Sequence, residues 1–501
     1  MLFSRLIQRV GQTGIDAMNE IRLHVGGADV AAGSGATFER RSPITGAVVS
    51  RSAAASADDA RAACDSAAKA FPGWAATGPN ARRKILVEAA AKLRAHSADF
   101  SRLCVEETGA IAGWGHFNTG FAASLLEEAA AMTTQITGET MPSDHPGTVA
   151  MALRQPAGVC VGMAPWNAPV ILGVRALAMP LACGNTVVLK ASELCPAVHR
   201  LIVDCFIEAG LPAGVVNFIA HSAADAPAVV EALIAHPAVK RVNFTGSSRV
   251  GRIIGELSGK HLKPCLLELG GKAPLLVLDD ADLDEAVAAA AFGAFMHQGQ
   301  ICMSTERIIV TEGIAEEFLK RFTTKVKSLQ VGDPTKGNFP IGACVDAKTV
   351  DHVQALIADA TGKGAKVLTG GTGTGGAFFE PTVVDGVKKG MRIYGEESFG
   401  PVVGVLRAKD VDQAVELAND CEYGLSAAVF SRDINTALQV AQRIDSGICH
   451  INSPTVQDEA QMPFGGTKAS GVGRFGGRAG VAEFTDLRWI SISTKPRHYP
   501  I

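Results

Sequence analysis

The segment HQGQICMSTE, residues 297–306, places a single cysteine, Cys302, among small and polar residues at the end of an alanine-rich helical run. A thiol is the most nucleophilic ordinary side chain near neutral pH, although only a small fraction of a free thiol is ionised there. Most free cysteines pack as small apolar side chains, and this chain contains 11 cysteines. Cys302 is therefore a candidate nucleophile only if other segments supply the groups that thiol chemistry needs.

Two other segments contain such groups. Asn167 lies in PWNAP, and its amide N–H could stabilise the negative charge that develops on a carbonyl oxygen during thiol addition. Glu268 lies in CLLELGG, where apolar neighbours would raise the pKa of its carboxyl and suit it to activate water. Each residue has a structural alternative. Asn167 could begin a helix, since Pro169 suits a first helical turn, and Glu268 could form an ion pair with Lys272.

Together with VVLKASE (residues 187–193), EESFGP (396–401) and PFGGTKASGVG (463–473), these segments resemble the aldehyde dehydrogenase superfamily in order and spacing. The resemblance covers the chain from about residue 43 to the C-terminus. The phrases APWNAPVILGVRALAMPLACGN, HPAVKRVNFTGSSRVGRII and GQICMSTERIIV are similar to the branch that acts on aromatic aldehydes, the salicylaldehyde and vanillin dehydrogenases. The resemblance implies an NAD-dependent enzyme that oxidises an aromatic aldehyde to the carboxylic acid.

The same resemblance implies a role for each side chain already named. Cys302 adds to the aldehyde carbonyl to give a thiohemiacetal, whose oxygen is stabilised by Asn167 and by the backbone N–H of Cys302. Loss of hydride leaves a thioester, and Glu268 activates the water that hydrolyses it. Two alternatives stay open, namely an aliphatic or semialdehyde dehydrogenase of the same superfamily and a thiol esterase with no redox step.

The cofactor site is predicted partly from the sequence pattern. Strands and helices alternate from residue 159, which is typical of a parallel sheet, and such sheets bind ligands at the carboxyl ends of their strands. Lys190 and Glu193 follow the apolar strand TVVL, where Glu193 can accept from a ribose 2′-hydroxyl and repel a 2′-phosphate. No GxGxxG motif follows the first strand of this alternation; instead GSSRVG, residues 246–251, opens a helix whose free N–H groups could hold a pyrophosphate.

The resemblance extends this site to a larger set of NAD-binding residues: Pro165, Trp166, Lys190, Ser192, Glu193, Gly246, Ser247, Gly251, Leu269, Glu397 and Phe399. One segment departs from the family pattern. HSAADAP, residues 221–227, stands where many members have a glycine-rich turn, which argues against a close backbone approach to the adenosine there. The aromatic-aldehyde branch shares this departure.

Two residues are candidates for the substrate site. Trp114, Phe117 and Phe121 share one face of a predicted helix, and the pattern alone favours packing in the core. Arg175 is the one charge in VILGVRALAMPLAC, and a buried guanidinium needs a partner, which could be a purely structural carboxylate or carbonyl. Arg175 also follows Asn167 by about two helical turns, so both can face one tunnel. The resemblance implies that Trp114 and Arg175 line the substrate pocket.

The predicted fold class is α/β, with a doubly wound parallel-sheet NAD-binding domain, an α/β catalytic domain and a small β element for oligomerisation. The family uses that element to form homodimers or homotetramers, and residues 148–155 are predicted to pair with WISIST in a separate sheet. The boundaries are predicted as follows: 1–20, an N-terminal extension; 21–147 and 156–272, NAD-binding domain; 273–450, catalytic domain; 148–155 and 484–501, oligomerisation strands; 451–483, a return segment to the NAD-binding side.

Composition excludes several classes of protein. The net charge of −3 offers no basic surface that would attract nucleic acid, so we expect no nucleic-acid partner. No stretch approaches the ~20 apolar residues that cross a bilayer, so we expect no membrane partner. The cysteines form no CxxC pair, which argues against a disulfide framework or a metal site and favours a cytoplasmic location. The expected partner is a small-molecule aromatic aldehyde.

Overall fold

Two large β-sheets, each covered by helices, contain most of the buried apolar side chains of the protein. The computed structural model describes residues 18–501. Most of the predicted N-terminal extension, residues 1–17, lies outside the described residues. Residues 19 and 20, which were assigned to the same extension, belong to the first strand instead, where Asn19 to Ile21 pair with residues 50–52.

The strands are β1 (Asn19–Ile21), β2 (Leu23–Val25), β3 (Ala28–Val30), β4 (Thr37–Arg41), β5 (Val48–Ala53), β6 (Glu139–Met141), β7 (Thr148–Pro156), β8 (Val159–Met163), β9 (Thr186–Lys190), β10 (Val216–Ile219), β11 (Val239–Thr245), β12 (Cys265–Glu268), β13 (Ala273–Val277), β14 (Thr305–Thr311), β15 (Lys366–Thr369), β16 (Gly373–Gly375), β17 (Phe378–Phe379), β18 (Thr382–Asp385), β19 (Val402–Ala408), β20 (Tyr423–Gly424), β21 (Ser426–Phe430), β22 (Ile448–Ile451), β23 (Thr467–Lys468), β24 (Gly471–Val472) and β25 (Thr485–Ser493). The α-helices are α1 (Ala57–Ala75), α2 (Pro79–Ala95), α3 (Ser97–Thr108), α4 (Ala112–Met132), α5 (Pro169–Ala182), α6 (Pro196–Glu208), α7 (Ala226–Ala235), α8 (Ser248–Lys260), α9 (Leu283–Phe295), α10 (Ala315–Lys327), α11 (Ala347–Gly362), α12 (Arg392–Gly395), α13 (Val411–Asn419), α14 (Ile434–Arg443) and α15 (Gly477–Glu483).

The first large sheet has eight strands in the order β24-β12-β11-β8-β9-β10-β2-β3. Its five central strands are parallel, β24 and β2 run antiparallel to them, and the edge strand β3 is antiparallel to β2. Strands such as VCVGM are buried along their whole length, as expected for a parallel sheet with helices on both faces. The predicted alternation of strands and helices is confirmed. The carboxyl ends of β12, β11, β8, β9 and β10 therefore meet at one edge of the sheet.

The second large sheet has seven strands in the order β15-β18-β19-β14-β13-β21-β22. Separate clusters of buried apolar residues pack on its two faces. The chain returns from this sheet to the first one through residues 452–470, because β24 pairs with β12. The loop that contains Cys302 leads into β14, the central strand of the second sheet.

A small third sheet, in the order β25-β7-β6, is separate from both. β7 and β25 pair along their full length, from Thr148 opposite Ser493 to Pro156 opposite Thr485. The predicted pairing of these two segments is confirmed, and β6 was not anticipated. Leu487 and Trp489 of β25 are largely exposed. None of the helices between residues 18 and 501 is both long and apolar enough to cross a lipid bilayer.

Local sequence explains several elements. Ser56 caps α1 in a reciprocal pair of hydrogen bonds with Asp59. Apolar residues at helical spacing after Asn80 predict one long helix, but the structure has two, α2 and α3, because the backbone at His96 leaves the helical region. The Gly- and Thr-rich segment GGTGTGGA, residues 370–377, is typical of a surface turn, and it contributes β16 to a short hairpin. The domain boundaries stay a prediction.

Candidate active site

The loop that carries Cys302 begins with an unusual run of backbone angles. After α9 ends, His297, Gln298 and Gly299 all adopt positive φ, at 50°, 58° and 70°. Non-glycine residues rarely occupy this region, and such conformations persist where packing enforces them, often at active sites. Ser304 fixes the turn by donating its hydroxyl proton to the Gly299 carbonyl at 3.0 Å. The run turns the chain sharply between the helix and Cys302.

Gly271 allows the Cys302 loop to lie close to the end of β12. A Cβ atom added to Gly271 would lie 2.2 Å from the Cys302 carbonyl oxygen, closer than any packing allows. Gly271 follows Glu268 by three residues, so this contact brings the predicted nucleophile next to the predicted base. Burial raises the pKa of the Cys302 thiol to about 12, and the carboxyls of Glu268 and Glu397 raise it too, while Arg175 acts in the opposite direction. The resting thiol is therefore protonated.

Glu268 is a buried carboxyl without a hydrogen bond. Its side chain is 2% exposed, and neither oxygen has a partner within the described residues. Burial raises the pKa of this carboxyl well above its usual value, and the charges of Arg175 and Arg474 oppose the effect. The alternative ion pair with Lys272 is not formed, because Lys272 binds Glu306 at 2.6 Å. The raised pKa favours the protonated form of Glu268, and its unpaired oxygens can exchange a proton with a ligand or water.

Asn167 contacts the same loop. Its Nδ2 donates to the Gln300 carbonyl at 3.0 Å, which leaves its second N–H available. The alternative role as a helix-start residue is not realised, because Ala168 occupies the N-cap of α5 and no side chain caps that helix. The backbone N–H of Cys302 donates to no acceptor within residues 18–501. Two donors are therefore available beside the thiol, as stabilisation of an oxyanion requires.

Aromatic rings form a wall beside this loop. The Trp114 ring stacks on His297 with centroids 4.8 Å apart, and its Nε1 donates to the Asn167 carbonyl at 2.9 Å. Trp114 also stacks on Phe117, which is 53% exposed. The shared helical face is confirmed, with Trp114 as its buried member. His297 was not among the predicted site residues, although its place five residues before Cys302 within the same motif was a usable signal.

Arg175 has the carboxylate partner that its burial requires. Its guanidinium forms an ion pair with Asp458 of the return segment and lies over the Phe464 ring, 4.3 Å from the centroid. Asp458 lies 283 residues away in sequence and was not predicted. These side chains line one small cleft together with Phe475. The structural interpretation of Arg175 therefore has a physical basis, and the residue still borders a cleft near Glu268.

The residues predicted to bind a cofactor lie on two sides of the chain segment that follows β12. On the first side, they follow neighbouring strands of the eight-stranded sheet: Pro165 and Trp166 after β8, Lys190, Ser192 and Glu193 at β9, Gly246, Ser247 and Gly251 after β11, and Leu269 after β12. On the second side, Glu397 accepts from the Gly271 N–H at 2.8 Å, and the Phe399 ring meets Trp166 edge to face at 5.7 Å. The fold thus brings all of these positions to the loop of Cys302 or to the adjoining sheet edge.

Local geometry explains several of these side chains. Ser247 caps α8 by accepting from the Val250 N–H, and a Cβ at Gly251 would lie 2.3 Å from the Leu269 side chain. Ser192 closes its own turn by accepting from the Leu194 N–H at 3.2 Å. Burial lowers the pKa of Lys190 and raises that of Glu397 to about 8. No cluster of three or more His, Cys, Asp or Glu residues within residues 18–501 could hold a metal ion.

The sequence profile described as "Aldehyde dehydrogenase family" matches residues 30–490. The chain therefore belongs to the aldehyde dehydrogenase family, as its motifs predicted. It is 59% identical to a vanillin dehydrogenase from Pseudomonas fluorescens, over 97% of this chain and 100% of that protein. It is 39% identical to a protein named benzaldehyde dehydrogenase, NAD(+), from Pseudomonas putida, over 91% of this chain and 93% of that protein.

The fold is also similar to that of a solved relative. The crystal structure of a salicylaldehyde dehydrogenase from Pseudomonas putida G7, complexed with salicylaldehyde, matches with a TM-score of 0.95 and 48% sequence identity. The match covers 96% of this chain and 100% of that chain. The predicted fold class is thereby confirmed.

Proposed function

We propose that this protein oxidises aromatic aldehydes to carboxylic acids with NAD as the oxidant. The observation that carries the proposal is the convergence of a protonated thiol, two free N–H donors and an unpaired buried carboxyl on one loop. The relatives named for vanillin, benzaldehyde and salicylaldehyde support the substrate class. A hydrolytic thiol esterase would need no dinucleotide cleft, so the sheet edge with Lys190 and Glu193 favours the dehydrogenase.

The side chains account for the covalent steps. The Cys302 sulfur bonds to the carbonyl carbon as its proton leaves for a base, and the carbonyl π electrons move to oxygen. Asn167 Nδ2–H and the Cys302 N–H stabilise that oxygen. NAD, which Lys190 and Glu193 would hold, would supply the acceptor for the hydride that leaves the carbon, so that Cys302 then carries a thioester. Glu268, once deprotonated, takes a proton from water as the water oxygen bonds to the carbon and the carbonyl π electrons move to oxygen. The carbonyl then re-forms as the C–S bond breaks, and Glu268 returns the proton to the thiolate, which releases the acid and the thiol.

The donor set at the end of β9 fits an unphosphorylated ribose. Lys190 offers N–H donors, and the Glu193 carboxylate can accept from hydroxyls but repels a 2′-phosphate. The N-terminus of α8, at Ser247 and Ser248, suits a pyrophosphate. We expect kcat/KM with NAD to exceed kcat/KM with NADP. Glu193→Gln should lower the ratio of the first value to the second. Equal values for the two cofactors in the wild-type enzyme would contradict the role given to Glu193.

Trp114 and Arg175 are proposed to confer the aromatic preference. The Trp114 ring would pack against the substrate ring, and Arg175 would donate to a ring oxygen or help to polarise the carbonyl. Formation of NADH over a panel of benzaldehydes and straight-chain aldehydes tests this. Trp114→Ala and Arg175→Ala should reduce the aromatic preference, whereas Phe117→Ala, a change of an exposed ring on the same helix face, should not. An aromatic preference that is unchanged in both variants, with thermal stability retained, would show that neither residue belongs to the substrate pocket. A wild-type enzyme that prefers the straight-chain aldehydes would favour the aliphatic or semialdehyde alternative.

Assembly and location are proposed on separate grounds. The exposed apolar side chains of β25, Leu487 and Trp489, support a homodimer or homotetramer formed through the small sheet. Light scattering of the wild type and of Leu487→Lys tests this, and a monomer mass for both would contradict it.

The eleven free cysteines suit the reducing cytoplasm, which fractionation of cells that express the protein would test.

A further inference from the structure

His221 carries a buried acceptor atom that the proposed chemistry does not use. Its Nδ1 lies 2.8 Å from the Ser222 carbonyl oxygen, which can only accept, so Nδ1 carries the ring proton. The opposite nitrogen, Nε2, is then an acceptor. The side chain is 1% exposed, and Nε2 has no hydrogen-bond partner within the described residues. Buried polar atoms are rarely left unpaired, so this atom points to a ligand.

The fold places His221 at the sheet edge proposed to bind the cofactor. It follows β10 by two residues, and the last residue of β10, Ile219, pairs in register with Lys190 of β9. Burial and the charge of Lys190 lower the pKa of His221 to about 4, while Glu193 acts in the opposite direction. The imidazole is therefore neutral at physiological pH. It lies close enough to both residues for their charges to act on it.

Its neighbourhood suits a hydrogen-bond donor on the adenosine half of a dinucleotide. Lys190 and Glu193 are the residues proposed to bind the ribose of that half. His221 also begins HSAADAP, the segment that replaces a glycine-rich turn of the family pattern. Since the backbone is not expected to approach the adenosine closely here, a side chain can supply the contact instead.

We propose that His221 Nε2 accepts a hydrogen bond from the adenosine half of bound NAD, from either the adenine amino group or a ribose hydroxyl. The inference rests on the proposed cofactor site at the end of β9 and adds a residue to it. His221 thereby acts as a binding residue that is specified by this chain's own turn sequence.

Two substitutions separate the functions of the two ring nitrogens. In His221→Asn the amide can replace Nδ1–H as the donor to Ser222, but nothing replaces Nε2. In His221→Gln the amide oxygen can reach the position of Nε2, but the Ser222 contact is lost. Ser222→Ala is a control for the turn, since it removes only the hydroxyl bond to Asp225 at 2.7 Å.

Calorimetry on the full-length enzyme measures binding of NAD, AMP and nicotinamide mononucleotide. His221→Asn should weaken AMP and NAD binding by about three- to tenfold, the range for one neutral hydrogen bond, and leave nicotinamide mononucleotide unaffected. His221→Gln and Ser222→Ala should stay within about twofold of the wild type. Inosine monophosphate then identifies the donor. If the loss in His221→Asn disappears with this ligand, the donor is the adenine amino group; if it persists, the donor is a ribose hydroxyl.

Three results would overturn the inference. An AMP affinity that is unchanged in His221→Asn would show that Nε2 makes no hydrogen bond to the ligand. A loss of AMP affinity in His221→Gln that equals or exceeds the loss in His221→Asn would show that His221 acts through its Ser222 contact and the turn, not through Nε2. If the wild type itself bound neither NAD nor AMP, the proposed cofactor site would fall as well, and the two failures are therefore distinguishable.

Discussion

Two buried glutamates near the Cys302 loop, Glu306 and Glu268, have opposite hydrogen-bonding environments. Glu306 accepts from Lys272 Nζ at 2.6 Å and from the backbone N–H groups of Ser398 and Phe399 at 2.9 and 3.0 Å. Glu268 has no partner for either oxygen within the described residues. A satisfied buried carboxylate fixes its surroundings, whereas an unsatisfied one is destabilised when ionised and can exchange a proton with a ligand. Hydrogen bonding therefore distinguishes a structural carboxylate from a chemical one.

The two glutamates also act together. Lys272 follows Glu268 by four residues and additionally donates to the Ser398 hydroxyl at 3.1 Å. The Glu306 network thus fixes the segment that carries Glu397 and Phe399, and Glu397 in turn accepts from the Gly271 N–H just after β12. We infer that a rigid, fully paired cluster supports the residues around an unpaired one.

The first way to test this division is to remove the nucleophile beside Glu268. Cys302→Ala should reduce aldehyde oxidation by at least about a thousandfold, because no other side chain in the loop can form the thioester. NAD binding, measured by fluorescence, should remain. Cys449→Ala, a change at another partly buried cysteine, serves as the control and should keep its activity. Substantial turnover by Cys302→Ala would refute the assignment.

Glu268→Gln should lower steady-state turnover by about a hundred- to a thousandfold but allow one equivalent of NADH to form in the first turnover. Hydride loss precedes the step that needs the base, so the enzyme should stop at the thioester. Rapid mixing with absorbance detection measures the burst. Because the Cys302 thiol has a pKa of about 12, a missing burst with NAD still bound would mean that Glu268 deprotonates the thiol.

The opposite expectation holds for the paired glutamate. Glu306→Gln should destabilise the fold by about 3 kcal/mol, since it leaves the Lys272 ammonium buried with weaker partners. Lys272→Met combined with Glu306→Leu should recover much of that stability, because neither charge is then left alone. Urea denaturation of the wild type and of both variants measures the effect. A stable Glu306→Gln enzyme would show that the network does not anchor the 397–399 segment.

The smallest expected effect is on the pH dependence of stability. A free glutamate titrates near ~4.3, and burial raises the folded-state pKa of Glu268 well above that value. Between the two values the folded protein binds more protons than the unfolded chain, so Glu268 makes stability fall as pH rises through this window. Glu268→Gln removes this term, and its Tm relative to the wild type should increase from pH 5 to pH 7, by the equivalent of about 1 kcal/mol.

The control for that measurement is Glu256→Gln, a change at an exposed glutamate of α8, which should follow the wild type at every pH. A constant Tm difference between Glu268→Gln and the wild type would contradict a raised pKa in the folded state.

Sequence patterns predicted the parts of this site that depend on neighbours in the chain. The strand ends at Lys190 and the apolar setting of Glu268 follow from local composition, and the Cys302 motif is recognisable from its residues. The ion-pair partners of the site residues are distant in sequence and could not be predicted. Asp458, 283 residues away, pairs with Arg175, and Lys272 pairs with Glu306 and not with Glu268. Such pairings depend on how two sheets are placed, which no local pattern specifies.

The same limit applies to backbone detail. Apolar spacing predicted one helical run after Asn80, but it cannot register the break at His96, because α2 and α3 keep the same periodicity on either side. The short strand β6 has too little pattern to be seen, and its three residues are all exposed. The positive φ angles of His297 and Gln298 are enforced by tertiary packing and have no signature in residue type.

The close approach of Gly271 to Cys302 has a consequence for how the sequence can vary. The separation between nucleophile and base is set by the absence of a methyl group at residue 271, and a Cβ at Gly465 would likewise lie 2.7 Å from Glu268 Oε1. Even the smallest substitution at these two positions, glycine to alanine, already displaces a reacting residue. Substitutions that change the substrate range must therefore occur at other residues, those that surround the aldehyde, while these two positions remain glycine.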